Sequence, residues 1–203
     1  FYAGAPYVVV WMSGLGILDP GGLEGNQAPA PFLAVAATAG FASALVSAIG
    51  EEIGWRGLLV PQLARITRFR WVAVVSGGIW AVWHYPLILF ADYHGSTPAW
   101  YSIACFTTMV VGVSFAFAWL RIESESLWPA AVLHASHNLF IQEIFDPLTR
   151  DAGLTRYFTG EFGLALALAA VGVAMIFAQI RRSRQPAARI AICLLYTSPS
   201  PRD

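Results

Sequence analysis

The sequence predicts an all-α fold, a polytopic membrane helix bundle with about six transmembrane helices. Three observations carry that expectation. Of 203 residues, 57% are apolar and only 12% are charged, with a mean hydropathy of +0.60; a soluble domain carries about 25% charged residues. The apolar residues gather in runs that match the ~20 residues needed to cross a hydrocarbon core. Those runs do not alternate in polarity, so barrel strands are excluded. The composition excludes other classes as well. Hydrophobicity rules out a disordered chain, and two cysteines, Cys105 and Cys193, do not make a disulfide scaffold. Twelve basic residues, all arginine, balance twelve acidic ones with no separate basic domain, so nucleic acid is not an expected partner.

The spans follow in order. A partial one covers Phe1 to Leu18, and Asp19-Pro20-Gly21-Gly22 breaks it. The second runs from Pro31 to about Arg56, with Pro61 as its stop. The third covers Trp71 to Ala91 and the fourth runs from Pro98 to Leu120. The fifth covers Leu127 to about Phe145 and the last Phe162 to Ile180. The chain opens at Phe1 inside an apolar stretch, so the expectation is a truncated N-terminus. Residues 193–203 read as a translated sequencing adapter and are set aside. That leaves one membrane domain over 1–192, with a motif-bearing core over 34–140. Cys105, mid-helix among apolar residues, reads as a buried small hydrophobe.

Arginines alternate between the connecting loops. Arg65, Arg68 and Arg70 follow the second span, Arg121 follows the fourth, and Arg181, Arg182, Arg184 and Arg189 follow the last. By the positive-inside rule these segments, and the C-terminus, are cytoplasmic. Arg150 and Arg156 fall on the opposite side and weaken the pattern. Gly57 to Arg70 reads either as a basic amphipathic segment on the inner leaflet or as a plain topology signal. The bilayer itself is the first expected partner.

Ionisable residues at membrane depth are costly, and their default reading is a site facing the protein interior. They concentrate in three places: Glu51-Glu52-Ile-Gly-Trp55-Arg56, Trp80-Ala-Val-Trp83-His84, and His134-Ala-Ser-His137-Asn138. Glu52 and Arg56 are four apart and share a helix face, as do His134 and Asn138. Glu51 is turned ~100° from Glu52, so the two carboxylates need not share a task. Trp80 sits one turn below His84, and Pro86 follows it. Such a set suits amide hydrolysis. A carboxylate in a dry pocket can take a proton from water, an imidazole can orient that water, and a second imidazole with an amide N–H can hold the oxyanion. The same residues could instead hold zinc through His84, His134 and Glu51. Neither HExxH nor GxSxG is present.

Glu51-Glu52-x-x-x-Arg56, an aromatic-x-x-x-His84 and His134-x-x-x-Asn138, in this order on separate helices, resemble the CPBP intramembrane proteases. That family includes the type II CAAX prenyl endopeptidases and bacterial members linked to bacteriocin immunity or surface-protein processing. The resemblance covers about Ala34 to Phe140. It implies Glu51 as general base, His84 as a water-binding group, His134 and Asn138 as the oxyanion site, and Arg56 as support for Glu51 and Glu52. It implies an endopeptidase cutting near the cytoplasmic face, by a glutamate or a zinc mechanism, on a peptide or protein substrate, lipidated or not. Trp80 stands where phenylalanine is more usual, which is expected only to reshape the wall. Trp55, Trp83, Trp100 and Trp128 read as interface anchors, and Trp55 and Trp83, close in sequence to the proposed site, read alternatively with Trp80 as lining of the substrate groove. His137 reads as packing behind the site, and His94 as a solvent-facing loop residue. The alternative is a non-catalytic scaffold or immunity protein on the same fold, using the polar cluster as interhelical glue.

Overall fold

The computed structural model describes residues 2–22, 34–91 and 93–196, with side chains described through Ser183. Helix α1 (Gly4–Met12) leads into strand β1 (Gly16–Leu18). A long helical run then passes through a π-helical turn (Ala36–Gly40), α2 (Phe41–Glu52), a second π-helical segment (Ile53–Leu59) and α3 (Val60–Ile66). Helices α4 (Phe69–Phe90), α5 (Ala99–Ser124) and α6 (Trp128–Asn138) follow, and α6 continues as a π-helical segment, Leu139–Phe145. Strand β2 (Thr149–Asp151) precedes the last helix, α7 (Leu164–Tyr196). Among the described residues, three helical stretches are long and apolar enough to cross a membrane: Phe69–Phe90, Ala99–Ser124 and Leu164–Ser183. The fold is an all-α membrane helix bundle.

The elements depart from the sequence pattern at three points. The first expected span, partial as read, yields α1, nine residues long and about 13 Å at the α-helical rise. Its continuation pairs as β1 with β2, antiparallel in the register Gly16↔Asp151, Ile17↔Arg150, Leu18↔Thr149. Pro61 does not stop the second helical run, whose first expected residues, 31–33, lie outside the described residues. Instead Val60 N–H bonds the Trp55 carbonyl in the i→i−5 register. The next carbonyl in that register, Arg56, faces Pro61, which has no N–H. Arg121 Nε donates to it at 2.7 Å, so a side chain from α5 replaces the missing backbone donor and the helix runs on to Ile66. The set-aside segment 193–203 falls mostly outside the described residues, although α7 itself reaches Tyr196.

The bundle has two distinct ends. Arg65, Arg68, Arg70 and Arg121 lie near the α3–α4 and α5–α6 connections, and Arg181 pairs with Glu123 at that same end. The β1–β2 pair, the 91–98 loop and the segment before α7 form the other end, where Tyr101 donates to the Tyr157 carbonyl at 2.5 Å. His94 is half-buried there rather than solvent-facing, and its carbonyl accepts from Ser102 at 3.0 Å. Tyr7 of α1 is buried and donates to Asp146 Oδ1 at 2.5 Å, and Gly160 N–H donates to the Tyr7 hydroxyl at 3.0 Å. Trp11 Nε1 donates to Thr149 at 3.0 Å. These bonds fasten α1 to the β-bearing end.

Helices α4, α5 and α7 pack through small residues, as membrane helices do. A Cβ on Gly77 would sit 2.9 Å from the Val111 Cα, and one on Gly112 would sit 2.6 Å from the Ala170 backbone. Gly112→Ala must therefore separate α5 from α7. Overpacking of this kind costs about 1–3 kcal/mol, and the expected result is a Tm several degrees lower in detergent, read by intrinsic fluorescence. Burial raises the Asp146 carboxyl to about 6, partly offset by the Tyr7 hydrogen bond. A carboxyl raised on folding stabilises the protein below its ordinary range and loses that contribution as pH rises through about 6. Wild type should thus lose Tm relative to Asp146→Asn between pH 4 and pH 7, and parallel Tm profiles for the two proteins would contradict this.

Candidate active site

The second helical run brings its two adjacent glutamates to different surroundings, as their ~100° offset requires. Glu52 is fully buried, and its Oε1 accepts from Arg56 NH1 at 2.8 Å and from His134 Nδ1 at 3.0 Å. Arg56 is 1% exposed. Its guanidinium lies 4.4 Å from the Trp80 ring centre and 4.2 Å from that of Phe117, a cation–π sandwich that offsets part of its desolvation. The expected Glu52–Arg56 pair is therefore present, and it reaches across to α6. Glu51 turns toward α4. Its Oε2 accepts the indole N–H of Trp80 at 2.8 Å and that of Trp55 at 3.3 Å.

Trp80 does more than reshape a wall. A phenylalanine has no donor, whereas this indole holds the Glu51 carboxylate and packs edge-on against His134 at 5.1 Å and His84 at 6.3 Å. His84 Nδ1 lies 3.0 Å from the Trp80 carbonyl. A carbonyl only accepts, so Nδ1 carries the proton and Nε2 is the lone-pair nitrogen of the neutral ring. Trp83 and Phe106 pack against the same imidazole at 4.9 and 5.0 Å.

Glu51, His84, His134 and Asn138 line one cavity of about 60 Å³, together with Trp80 and His137. Apolar side chains of α5, Met109, Val110, Val113 and Phe117, complete much of its wall. A water molecule requires ~10–15 Å³ of such space, so the cavity holds a few waters and no peptide. Glu52 and Arg56 stand behind this cavity. The heights of Glu51 and His84 agree because the helix does not end near Gly57. Glu51 is fifteen residues from Ile66 and His84 fifteen from Phe69, each about 22 Å from its helix end.

A second carboxylate, unforeseen in the sequence, closes the far side. Glu161 is buried and lines the same cavity. Its Oε1 accepts from His137 Nε2 at 2.9 Å and from Gln142 Nε2 at 3.1 Å, and its Oε2 accepts from the Tyr93 hydroxyl. Burial pushes this carboxyl up, and the bonds from His137, Tyr93 and Gln142 outweigh that effect and hold it at about 2. His137 Nδ1 takes the Tyr2 hydroxyl, with the two rings stacked at 5.8 Å. His137 is thus a wall residue with both nitrogens engaged. The only sequence signal for Glu161 is its place as a lone acid directly before an apolar run.

Glu51 also floors a lateral groove of about 660 Å³ that includes Gly50, Gly54, Trp55, Leu58 and Trp83. Trp55 and Trp83 meet edge-on across it at 6.1 Å. Trp80 belongs to the inner cavity instead. Trp100 and Trp128 are exposed near opposite ends of the bundle. Among the described residues, no three His, Cys, Asp or Glu side chains are grouped to hold a metal ion. As placed, His84, His134 and Glu51 line one cavity without forming a ligand set.

A half-buried carboxylate, two imidazoles and an amide thus line one small cavity inside the membrane bundle. The Rce1-like family profile, that of type II CAAX prenyl endopeptidases, matches residues 33–140, just over half of the 203. The chain belongs to this family of CAAX-type membrane proteases. No curated protein and no solved structure matches it.

Trp80→Phe should remove a donor from the half-buried Glu51 carboxylate, a loss of up to about 1.5–3 kcal/mol for a hydrogen bond to a charged group. The expected outcome is a lower Tm in detergent, whereas Trp83→Phe, at a 53% exposed position, should shift it by less than half as much.

Proposed function

We propose that the protein is an intramembrane endopeptidase whose Glu51 activates water for attack on a peptide carbonyl. The observation that carries this reading is the convergence of Glu51, His84, His134 and Asn138 on one cavity of about 60 Å³. Glu51 Oε2 is occupied by two indole donors, which leaves Oε1 to take the water proton. His84 Nε2 accepts the other hydrogen of that water and orients it. The oxygen attacks the carbonyl carbon, and the negative charge moves to the carbonyl oxygen.

The Asn138 amide N–H holds that oxyanion, joined by His134. Because His134 Nδ1–H is committed to Glu52, its Nε2 donates to the oxyanion only as the imidazolium. Glu52 and Arg56 then act as positioning residues: they fix His134 and supply the counter-charges that a dry site requires. Glu51 returns its proton to the amide nitrogen, the C–N bond breaks, and the carboxylic acid so formed passes its proton to the amine, so that a carboxylate and an ammonium leave.

The substrate approaches through the lateral groove floored by Glu51, where Trp55 and Trp83 offer apolar surface to a peptide or its lipid chain. The arginine-rich end faces the cytoplasm by the positive-inside rule. Cleavage near that face fits the site, since Arg121 of that end bonds the carbonyl of Arg56, five residues from Glu51. Zinc has no part in this scheme, because His84, His134 and Glu51 line the cavity without forming a ligand set.

Glu51→Gln should lower kcat on a prenylated CAAX peptide by 10²–10⁴, the usual weight of a general base, with KM nearly unchanged. Turnover at the wild-type rate would overturn the assignment. Wild-type enzyme stripped with phenanthroline, its metal content checked by mass spectrometry, should keep its activity within twofold.

A further inference from the structure

The inner cavity and a much larger polar vestibule share three lining residues. The vestibule, about 580 Å³, opens at the β1–β2 end. Its polar lining includes Ser96, Asp146, Thr149, Asp151, Arg156 and Thr159. Tyr93, Gln142 and Glu161 line both spaces, so a single layer of side chains separates them. The lateral groove shares only Glu51 with the inner cavity and is walled mainly by apolar side chains. The two approaches to the cavity thus differ in chemistry.

We propose that the Tyr93–Gln142–Glu161 layer is a water port: the water consumed by hydrolysis enters from the vestibule, while the apolar substrate arrives from the groove. The proposal rests on the hydrolase reading for its purpose but not for its geometry. The layer suits the task. Its three members are joined by hydrogen bonds centred on Glu161. Gln142 is the lightest-held member: it adds one bond of 3.1 Å to Glu161, and its amide offers both a donor and an acceptor to a passing water. Tyr93 stacks over His84 at 6.2 Å with the ring planes 29° apart, so a water crossing the layer arrives beside the imidazole assigned to orient it. Hydrolysis uses one water per bond cut, and a cavity of about 60 Å³ must be refilled at each turnover.

The test reads access without activity. Val113 lines the inner cavity and has no assigned chemical role. In the full chain carrying Cys105→Ala and Cys193→Ser, Val113→Cys is labelled with methanethiosulfonate ethylammonium in detergent micelles and followed by mass spectrometry. Adding Gln142→Ala should speed labelling at least fivefold. Adding Gln142→Trp should slow it at least fivefold, and Trp83→Ala in the groove should leave it within twofold. Labelling that responds to Trp83→Ala and ignores both Gln142 variants would overturn the port. A companion assay on a prenylated CAAX peptide should show kcat reduced about tenfold in Gln142→Trp with KM unchanged. A raised KM with unchanged kcat would mean that the vestibule admits the peptide, and would likewise overturn it. If labelling follows the port while the wild type cleaves no peptide, the hydrolase reading fails and the port stands.

Discussion

The Glu52–Arg56–His134 contact is the constraint on which the rest of the site depends. Glu52 and Arg56 are essentially without solvent exposure, and an ion pair in that setting is costly unless further groups support it. Support comes from three helices, although Glu52 Oε2 and Arg56 Nε have no hydrogen-bond partner among the described residues. His134 comes from α6, the Arg56 guanidinium is faced by Trp80 of α4 and Phe117 of α5, and the Arg56 carbonyl is taken by Arg121 of α5. Removing any one partner leaves an uncompensated charge or carbonyl in an apolar core. The polar centre therefore fixes the relative placement of helices that lipid, being as apolar as their surfaces, does little to order.

From that centre the cavity-lining groups are positioned one step outward. Trp80 serves both shells, since its ring covers Arg56 while its N–H holds Glu51. The two glutamates are neighbours in sequence yet separated in duty, one buried behind His134 and one at the junction of the inner cavity and the lateral groove. Division of labour between adjacent carboxylates follows from helical geometry alone, once each is given a different set of partners.

Much of this was legible beforehand, and the reasons are physical. Charge is so costly in lipid that Glu51, Glu52, Arg56, His84 and His134 stood out against apolar runs, and spacing of four assigned Glu52 to Arg56. What the sequence concealed depends on contacts between distant segments. Glu161 lies more than a hundred residues from Glu51 and outside the spans, where an acid carries no penalty and draws no notice. The role of Trp80 as a donor could not be read from a position where any aromatic would fill space. The β1–β2 pair was hidden because Gly16–Leu18 closes an apolar stretch that looks like helix. Pro61 was misread because a proline stops an α-helix unless another group supplies the donor it lacks, and that group, Arg121, is sixty residues away.

The π-helical segments Ile53–Leu59 and Leu139–Phe145 begin directly after Glu52 and Asn138. Each holds one residue more per hydrogen-bonded ring than an α-helix does. Everything beyond it is rotated by about one residue, ~100°, relative to an uninterrupted helix. Val60, eight residues after Glu52, is fully buried against Val72 and Ala118. In relatives that lack the extra residue, the same polar triplet would be followed by a differently phased apolar stripe. Single-residue gaps at these two points are thus the natural way for the scaffold to change its outer surface without disturbing the chemistry inside.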